Sequence, residues 1–210
     1  MLKTIIAVTG ASGAGKSHFS RELMATVQSH APTLDIAILT EDAYYRDQAE
    51  LAMAERERVN YDHPDSIEHE LLLEHLLQLR GGQPVDVPVY DYSQHTRSTE
   101  SVSLAPVQLL IVEGILLFTN PLLRRQFDLR LFVDTPLEVC LQRRMDRDCR
   151  ERGRSEQSVQ AQFEATVKPM YHEFIAPARE HAHLQLDGTK NSSHSTALML
   201  TELQRKGILP

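Results

Sequence analysis

A glycine-rich turn between a short apolar run and an amphipathic segment constrains this chain more than any other feature. Residues 10–17 read GASGAGKS and match the GxxxxGK[ST] pattern at every fixed position. The apolar run Ile5–Val8 precedes the turn, and residues 16–28 follow it with apolar side chains at four-residue spacing, which predicts a helix. Backbone N–H groups of such a turn converge on phosphate oxygens, and the helix N-terminus adds its positive end. Because strand, turn and helix are in register, the sequence predicts a phosphate-binding loop rather than a chance match.

Each residue of this loop is expected to contact a nucleotide. Lys16 should reach the β- and γ-phosphates, and Ser17 should bind Mg²⁺. The expected nucleotide-binding residues of the loop are Gly10, Ala11, Ser12, Gly13, Ala14, Gly15, Lys16 and Ser17.

The remaining chain repeats a rhythm of short apolar run, turn and helix. Further buried strands are predicted at 36–39, 109–112, 129–133 and 184–186. Fully apolar strands that alternate with helices indicate an α/β fold, with a P-loop NTPase-type parallel sheet flanked by helices.

Three helix boundaries carry their own signals. Asp65 and Glu68 form a capping-box-like start for a helix through Leu79. The pair Thr135-Pro136 is an N-cap and first-turn proline that opens another helix. A final helix is predicted over Ser195–Arg205.

Residues 83–105 break this rhythm. Val85–Tyr92 alternates with period two, and Thr99–Leu104 is a second β-prone run, so an inserted antiparallel hairpin is predicted. Insertions beside the carboxyl edge of a parallel sheet often contribute substrate contacts. We expect residues 1–210 to form a single domain that carries this hairpin.

Composition excludes several functional classes. The 22 Lys and Arg against 29 Asp and Glu give a formal net charge of −7, which argues against a general nucleic-acid binder. Cys140 and Cys149 are not in a CxxC pair and indicate free thiols in a reducing cytosol. No apolar run approaches ~18 residues, and the N-terminus lacks a signal-peptide pattern. We therefore expect no membrane span and a cytoplasmic location.

The phosphate-binding loop alone does not distinguish a switch, a motor and a kinase. A GTPase switch would need a guanine-reading NKxD, and the chain has no Asn-Lys dipeptide. Motor and transporter ATPases are usually larger than 210 residues. A short chain with an inserted hairpin and an arginine-rich segment favours a small-molecule kinase.

Two carboxylates follow predicted strands and should lie at the carboxyl edge of the sheet. Asp42 follows the strand 36–39, and Glu113 follows the strand 109–112. Phosphoryl transfer to a hydroxyl needs a proton acceptor and groups that order Mg²⁺. Asp42 suits the first role and Glu113 the second. The alternative makes Asp42 a turn residue and Glu113 a helix-start acid, and Glu41 is left without a role.

An arginine segment, residues 143–154, holds six arginines in twelve positions. Arg144 and Arg147 are three residues apart and should share a helix face. Such arginines could clamp a migrating phosphoryl group in a lid that excludes water, and we place this lid region at 143–166. The alternative is a solvated helix held by pairs such as Asp146–Arg150 and Asp148–Arg152.

Tyrosines and hydrogen-bonding groups cluster in residues 60–65 and 88–95. Five of the six tyrosines are Tyr44, Tyr45, Tyr61, Tyr90 and Tyr92. Flat rings with donors suit a nucleobase, and a carboxylate suits a ribose diol; alternatively, the tyrosines of the hairpin cover the core. The histidines lack metal-ligand spacing, and we predict His69 and His75 at a helix surface.

The chain resembles the uridine kinase (uridine–cytidine kinase) family. This family belongs to the P-loop kinases that include phosphoribulokinase and pantothenate kinase. The likeness covers nearly the whole chain and rests on seven segments. They are GASGAGKS at 10–17, EDAYYRD at 41–47, NYDHPD at 60–65, PVYDYSQHTR at 88–97, VEGILLF at 112–118, RRMDRDCRERGR at 143–154 and VKPMYHEFIAP at 167–177.

The resemblance implies a kinase domain that transfers the γ-phosphoryl of ATP or GTP, with Mg²⁺, to the 5′-hydroxyl of uridine or cytidine. It implies a catalytic group of Asp42, Lys16, Arg144 and Arg147, and metal contacts from Ser17, Glu113 and Asp42. The implied substrate-binding residues are Asp42, Tyr45, Tyr61, Asp62, Tyr90, Tyr92, His95, Arg144, Arg154 and Gln162. Among these, Asp62 would hold the ribose hydroxyls, and Tyr90 and His95 would read the base.

The family likeness also implies a homotetramer, feedback inhibition by CTP or UTP, and a place in pyrimidine salvage. Gly188–Asn191, with Lys190, would lie near the donor base. Residues 181–187 are less apolar than is typical of the family, and Asp187-Gly188 replaces a Gly-Gly, which weakens the donor-base assignment.

The sequence leaves two alternatives to a uridine or cytidine kinase. One is a kinase for another hydroxyl substrate such as phosphoribulose or pantothenate. The other is a nucleotide-gated regulator without turnover, which the pairing of Asp42 with Glu113 disfavours. A neutral imidazole can donate from one nitrogen or accept at the other, so His95 predicts that both uridine and cytidine are used.

Overall fold

The computed structural model describes residues 2–190 and 192–209 and shows a parallel sheet at its centre. Its five strands are β1 (Thr4–Thr9), β2 (Ile36–Thr40), β5 (Leu109–Glu113), β6 (Leu129–Asp134) and β7 (Leu184–Asp187). They lie in the order β2-β5-β1-β6-β7, and every neighbouring pair is parallel. Strands β1 and β5 are buried along almost their whole length because helices cover both faces. The α/β fold predicted from the apolar runs is confirmed.

Nine α-helical segments surround the sheet within the described residues. They are α1 (Lys16–His30), α2 (Met53–Arg56), α3 (His69–Arg80), α4 (Pro121–Arg124), α5 (Leu137–Arg152), α6 (Glu156–Gln162), α7 (Lys168–Met170), α8 (Ala176–Ala178) and α9 (Ser192–Arg205). Short 3₁₀ turns cover Glu41–Tyr44, Pro64–Ser66 and Arg179–His181, and π-helical turns cover Phe163–Val167 and Tyr171–Ile175. Helix α1 buries Phe19, Leu23 and Val27 against the sheet, as its four-residue spacing predicts.

Strands β3 (Val85–Asp91) and β4 (Thr96–Leu104) form a separate antiparallel sheet of two strands. Strand β4 begins at Thr96, three residues before the predicted run, and its register with β3 shifts between Pro88 and Tyr90. Pro88 cannot donate to the ladder, which accounts for an irregularity at this position. The sheet projects its turn toward the carboxyl edge of the parallel sheet.

Two predicted helix starts are wrong. Helix α3 begins at His69, because Asp65 lies in a 3₁₀ turn whose amide donates to Nδ1 of His63 at 3.1 Å. Helix α5 begins at Leu137 with Pro136 at its N-cap position. Thr135 does not cap this helix, since its hydroxyl donates to the Ala14 carbonyl at 2.9 Å and so ties β6 to the phosphate-binding loop.

Within the described residues, no helix combines the length and apolar character that crossing a bilayer requires. The hydrophobic core instead fills the two layers between the helices and the sheet. This arrangement leaves the carboxyl ends of β1, β2, β5 and β6 at one edge, where the loops that follow them meet.

Candidate active site

The phosphate-binding loop requires glycine at its turns. Gly10, Gly13 and Gly15 have φ angles of +146°, +86° and +103°, which L side chains rarely adopt. A Cβ at Gly10 would overlap the Val133 carbonyl oxygen, and one at Gly13 would overlap that of Cys140. The loop therefore folds tightly against β6 and α5, and Gly15 leads directly into α1.

Lys16 is buried at the start of α1, and its Nζ donates to the Ala11 carbonyl at 2.9 Å. Burial lowers the pKa of Lys16, while the negative charges of Glu113 and Asp42 oppose that shift. The Lys16 ammonium is thus held inside the phosphate-binding loop, close to the carboxylates of Glu113 and Asp42.

Ser17 and Glu113 are joined by a 2.8 Å hydrogen bond from the serine hydroxyl to Oε1. The parallel register sets Glu113 beside Val8 on β1 and Thr40 on β2, so the sheet itself brings the acid to the loop. Burial raises the pKa of Glu113, and Lys16 and the Ser17 hydrogen bond oppose this. The pair presents two oxygen donors at one point, which suits a hard cation.

Asp42 lies on the 3₁₀ turn that follows β2, and one of its oxygens, Oδ2, accepts a 2.8 Å hydrogen bond from the Tyr92 hydroxyl. Tyr92 sits in the turn between β3 and β4, so the hairpin reaches the carboxyl edge of the parallel sheet. Asp42 and Glu113 both line the same cavity as Lys16 and Ser17.

This cavity has a volume of about 860 Å³ and is lined by most of the predicted site residues, whereas Gly10, Ala11, Ala14 and Lys190 are not on its walls. Its walls include Ser12, Gly13, Gly15, Lys16, Ser17, Asp42, Tyr45, Tyr61, Asp62, Tyr90, Tyr92, His95, Glu113, Arg144, Arg147, Arg154 and Gln162. The cavity therefore runs from the phosphate-binding loop past the carboxylates to the tyrosine-rich hairpin.

Four tyrosines and one histidine form an aromatic wall on the hairpin side. The ring of Tyr45 lies 5.3 Å from that of Tyr61 and 5.0 Å from that of Tyr90, while Tyr90 and Tyr92 are 5.2 Å apart. Tyr61 and His95 lie 5.8 Å apart at an interplanar angle of 30°. The Tyr61 hydroxyl donates to the His95 carbonyl at 3.1 Å, which stabilises the left-handed φ of 51° at that histidine.

Tyr44 differs from the four tyrosines of the aromatic wall because it does not line the cavity. It is fully buried, and its hydroxyl lies 3.0 Å from Nδ1 of His75. The hairpin tyrosines Tyr90 and Tyr92 line the cavity, as do Tyr45 and Tyr61, whereas Tyr44 lies outside the hairpin and packs in the core. The Tyr90 hydroxyl is buried at the cavity wall, and burial together with a hydrogen bond to Tyr61 raises the pKa of Tyr90.

Asp62 is a buried carboxylate on the wall between the aromatic residues and the arginines. Burial raises its pKa, and the Arg144 guanidinium opposes that shift. The closest approach of the two groups is 3.9 Å, between Oδ1 and NH1. A carboxylate this poorly paired has oxygens free to accept hydrogen bonds from a ligand.

Three arginines of the segment 143–154 surround one carboxylate. Asp148 is completely buried and lies 2.9 Å from Arg147, 3.5 Å from Arg144 and 3.6 Å from Arg154. Arg144 and Arg154 also donate to the Gln162 side-chain oxygen, at 3.0 and 2.6 Å. Asp148 was not among the predicted site residues, since its burial depends on how α5 packs.

The alternative of a solvated helix does not describe this segment. Asp146 accepts from Gln142 at 3.2 Å, and Arg150 pairs with Glu151 at 2.7 Å, so the predicted Asp146–Arg150 pair does not form. The Asp148–Arg152 pair involves a side chain outside the described residues.

Arg143 is a second residue that the sequence interpretation missed. Its guanidinium donates to the Ala14 carbonyl at 3.2 Å and to the Gly188 carbonyl at 3.0 Å. It separates the main cavity from a second one of about 460 Å³, whose walls include Phe19, Val133, Leu186 and Lys190. The Lys190 ammonium lies 3.3 Å from Asp187, and Asn191, also predicted near a donor base, lies outside the described residues.

The prediction that His69 and His75 lie at a helix surface is wrong. Both are buried, His75 against Tyr44 and His69 against Glu41, whose Oε1 lies 3.0 Å from Nε2. Burial lowers the pKa of His75. Helical periodicity could have identified them, since His69, Leu72, Leu76 and Leu79 share the buried face of α3.

The parallel sheet, the phosphate-binding loop and the carboxylates beside it define a P-loop protein of the kinase class. The profile of the Phosphoribulokinase / Uridine kinase family matches residues 5–194. The chain belongs to this family. It is 44% identical over 200 residues to a uridine kinase of Shewanella piezotolerans, which covers 95% of this chain and 94% of that relative.

A second relative agrees with this assignment, and a solved structure shares the fold. A uridine kinase of Erwinia tasmaniensis is 47% identical over 180 residues, 86% of this chain and 84% of the relative. Among solved structures, D-glycerate 3-kinase from Cryptococcus neoformans superposes with a TM-score of 0.61 at 18% identity, over 82% of this chain and 79% of that one. The structural likeness supports the fold alone.

Proposed function

We propose that the protein transfers the γ-phosphoryl group of ATP or GTP to the 5′-hydroxyl of uridine or cytidine, giving UMP or CMP. One observation carries this proposal: a single cavity joins the phosphate-binding loop to an aromatic, hydrogen-bonding wall, with Asp42 between them. The similarity to relatives named uridine kinase supports the same acceptor.

The acceptor nucleoside would lie between the hairpin and the arginines. Tyr90 and His95 would read the base, because a buried phenol and a neutral imidazole can each donate or accept. Tyr45, Tyr61 and Tyr92 would pack against the sugar and the base. Asp62 would accept hydrogen bonds from the ribose diol, while Arg154 and Gln162, already joined at 2.6 Å, would close over the nucleoside.

Asp42 would act as the proton acceptor. The 5′-oxygen forms a bond to the γ-phosphorus while the bond from that phosphorus to the bridging oxygen breaks, and the nucleoside diphosphate leaves with the bond's electron pair. The hydroxyl proton passes to the Asp42 carboxylate. Tyr92 already donates to Oδ2 of Asp42, so this bond would orient the other oxygen toward the acceptor.

Lys16, Arg144 and Arg147 would offset the charge that accumulates on the transferred group. Arg144 donates to the Ser12 hydroxyl at 3.1 Å and is therefore already bound to the phosphate-binding loop. Lys16 and Arg147 would exchange their present partners, the Ala11 carbonyl and Asp148, for phosphate oxygens. The region 143–166 would serve as the lid.

Ser17, Glu113 and Asp42 would hold Mg²⁺. The described residues include no cluster of three or more His, Cys, Asp or Glu side chains that could enclose a metal. Mg²⁺ needs no such cluster, because it typically takes one or two protein carboxylates together with substrate phosphates and water. When bound, Mg²⁺ neutralises phosphate charge and fixes the geometry of the triphosphate.

The second cavity, beside Gly188 and Lys190, would receive the base of the donor nucleotide, since Arg143 connects it to the phosphate-binding loop. We further propose a cytoplasmic homotetramer that serves pyrimidine salvage and is inhibited by CTP or UTP. Either triphosphate carries both a pyrimidine nucleoside and phosphates, so it could occupy the cavity in competition with the substrates. The net charge of −7 is consistent with small-molecule substrates rather than nucleic acids.

The alternative acceptors are not favoured. Phosphoribulose would require cations on the acceptor side, where residues 60–65 and 88–97 contain His63, His95 and Arg97 but no lysine. Arg97 is committed to Glu68 at 2.8 Å and to the Tyr44 carbonyl at 3.1 Å, while His63 packs on Phe174. A regulator without turnover would have no use for Asp42 beside the phosphate-binding loop.

A panel of acceptors tests the proposal. Purified protein is incubated with ATP and Mg²⁺ and with uridine, cytidine, adenosine, pantothenate or ribulose 5-phosphate, and ADP release is measured. Release that depends on uridine and cytidine supports the proposal, release that depends on another acceptor supports the alternative kinase, and no acceptor-dependent release supports the regulator. Repeating the panel with GTP identifies the preferred donor.

A further inference from the structure

Glu41 is a carboxylate with no exposed surface, although the next residue, Asp42, lines the cavity described above. Each of its oxygens has a partner: Oε2 accepts from the Leu116 amide at 2.8 Å, and Oε1 lies 3.0 Å from Nε2 of His69. A buried charge is costly unless it is paired and hydrogen-bonded. Glu41 therefore does not act as a surface charge, and its two hydrogen bonds indicate a role inside the protein.

The two bonds join three segments that meet behind the proposed reaction centre. Glu41 immediately precedes Asp42 on one 3₁₀ turn, Leu116 follows Glu113 by three residues, and His69 is the first residue of α3. The strand ladder between β2 and β5 ends with Thr40 opposite Glu113. Beyond that point no ladder bond fixes the distance between the loop after β2 and the loop after β5. The hydrogen bond between Glu41 and the Leu116 amide joins these two loops instead.

Gly114 shows how closely the two loops approach. A Cβ at this glycine would overlap both the carboxylate and the Cβ of Glu41. The Gly114 amide donates to the Val8 carbonyl at 3.1 Å, and the Thr9 hydroxyl donates to the Ile115 carbonyl at 3.2 Å. The loop after β5 is thus fixed to β1 on one side and to Glu41 on the other.

We propose that Glu41 is a positioning residue that sets the distance between Asp42 and Glu113, and that His69 holds Glu41 in the required rotamer. The inference rests on the proposed phosphoryl transfer, in which Asp42 accepts a proton and Glu113 lies by the triphosphate. A displacement of about 1 Å in such a site can lower turnover about 10²-fold without weakening substrate binding.

The chain offers a matched control for a merely structural role. Tyr44 and His75 form a second buried hydrogen bond, 3.0 Å long, between the same 3₁₀ turn and the same helix α3. The bond of this pair does not involve the loop 114–116, and neither residue lines the cavity. Tyr44→Phe should therefore lower the melting temperature and leave kcat within about twofold of the wild type, since buried hydrogen bonds contribute to stability.

The experiment measures kcat, melting temperature and uridine binding by calorimetry without ATP. Glu41→Ala should lower kcat about 10²-fold, with the uridine Kd within about threefold of the wild type. Glu41→Gln should recover kcat to within about fivefold, because the amide oxygen can accept from Leu116 and the amide nitrogen can donate to His69. A kcat loss in Glu41→Ala no larger than in Tyr44→Phe would overturn the proposal, as would a Glu41→Gln variant as slow as Glu41→Ala.

His69→Phe provides a second route if Glu41→Ala does not fold. It keeps a ring but removes the nitrogen that bonds to Glu41, and it leaves the bond between Glu41 and Leu116, so a kcat loss of about threefold to tenfold with unchanged uridine Kd is expected. An unchanged kcat would contradict the role of His69 and Glu41 in positioning. Wild-type protein without acceptor-dependent turnover would instead refute the proposed function, so the two failures are distinguishable.

Discussion

The Tyr92 hydroxyl donates a 2.8 Å hydrogen bond to Oδ2 of Asp42, and the two residues are 50 positions apart in the chain. The bond joins the turn of the β3–β4 hairpin to the 3₁₀ turn after β2. It therefore links the aromatic wall, which suits a nucleoside, to the carboxylate that suits proton transfer. Binding and chemistry meet at this pair.

Asp42→Asn should lower kcat by about 10²-fold or more, because an amide cannot accept the hydroxyl proton. The uridine Kd should change by less than about threefold, since the amide keeps the shape of the site and can still accept from Tyr92. Steady-state kinetics and calorimetry measure the two quantities. Weakened binding with unchanged turnover would contradict the proton-acceptor role, and Tyr92→Phe serves as the control that removes the bond but keeps the ring.

Asp148→Asn should destabilise the protein by about 3 kcal/mol, because three guanidinium groups would lose the buried carboxylate between them. Urea denaturation gives the free energy of unfolding. Asp146→Asn is the matched control on the same helix, since Asp146 is exposed, and it should stay within about 0.5 kcal/mol of the wild type. Equal losses in both variants would show that the arginines do not depend on Asp148.

Asp62→Asn should raise the melting temperature at pH 8 while weakening uridine binding. Burial raises the pKa of Asp62, so its ionised form costs folding free energy at neutral pH. Below pH 3.8, the ordinary pKa, Asp62 is protonated in both the folded and the unfolded chain, and its burial carries no charge penalty. As the pH rises through the raised pKa of the folded state, Asp62 ionises and this stability is lost. The advantage of Asp62→Asn should therefore shrink as the pH falls toward 3.8.

Thermal denaturation at several pH values measures this difference. A lower melting temperature of Asp62→Asn at pH 8 would mean that the ion pair with Arg144, 3.9 Å away, outweighs the cost of burial. The result would then favour a structural role for Asp62 over one in holding the ribose diol.

His95→Tyr should change the ratio of kcat/KM for uridine to that for cytidine. The imidazole can present a donor or an acceptor to the base through its two nitrogens, and a phenol in the same turn would not reproduce that geometry. Competition between the two nucleosides in one reaction measures the ratio directly. An unchanged ratio would remove His95 from base recognition.

The features predicted correctly from the sequence are those that local pattern specifies. The glycine spacing of residues 10–17, the apolar strands and the period-two alternation of the hairpin each report a backbone conformation directly. Strand ends then place Asp42 and Glu113 at one edge, because a parallel sheet gathers the carboxyl ends of its strands. Two helix starts were predicted wrongly because tertiary contacts decide them. The Thr135 hydroxyl, for example, bonds to Ala14, 121 residues away, rather than to its own helix.

The missed residues are those whose role depends on tertiary packing. Glu41, His69 and Asp148 are charged or polar in type, and such residues are usually exposed. Their burial arises only when the 3₁₀ turn, α3, α5 and the loop after β5 come together. Arg143 was one of six similar arginines, and only the fold distinguishes the one that contacts Gly188.

The most direct test of the account follows the γ-phosphoryl group itself. ATP labelled at the γ-phosphate is incubated with Mg²⁺ and either uridine or 5′-deoxyuridine, and the products are separated. We expect the label to appear in UMP, with one ADP for each UMP, and 5′-deoxyuridine to yield no labelled nucleotide. Label released as inorganic phosphate at the same rate with either compound would contradict it.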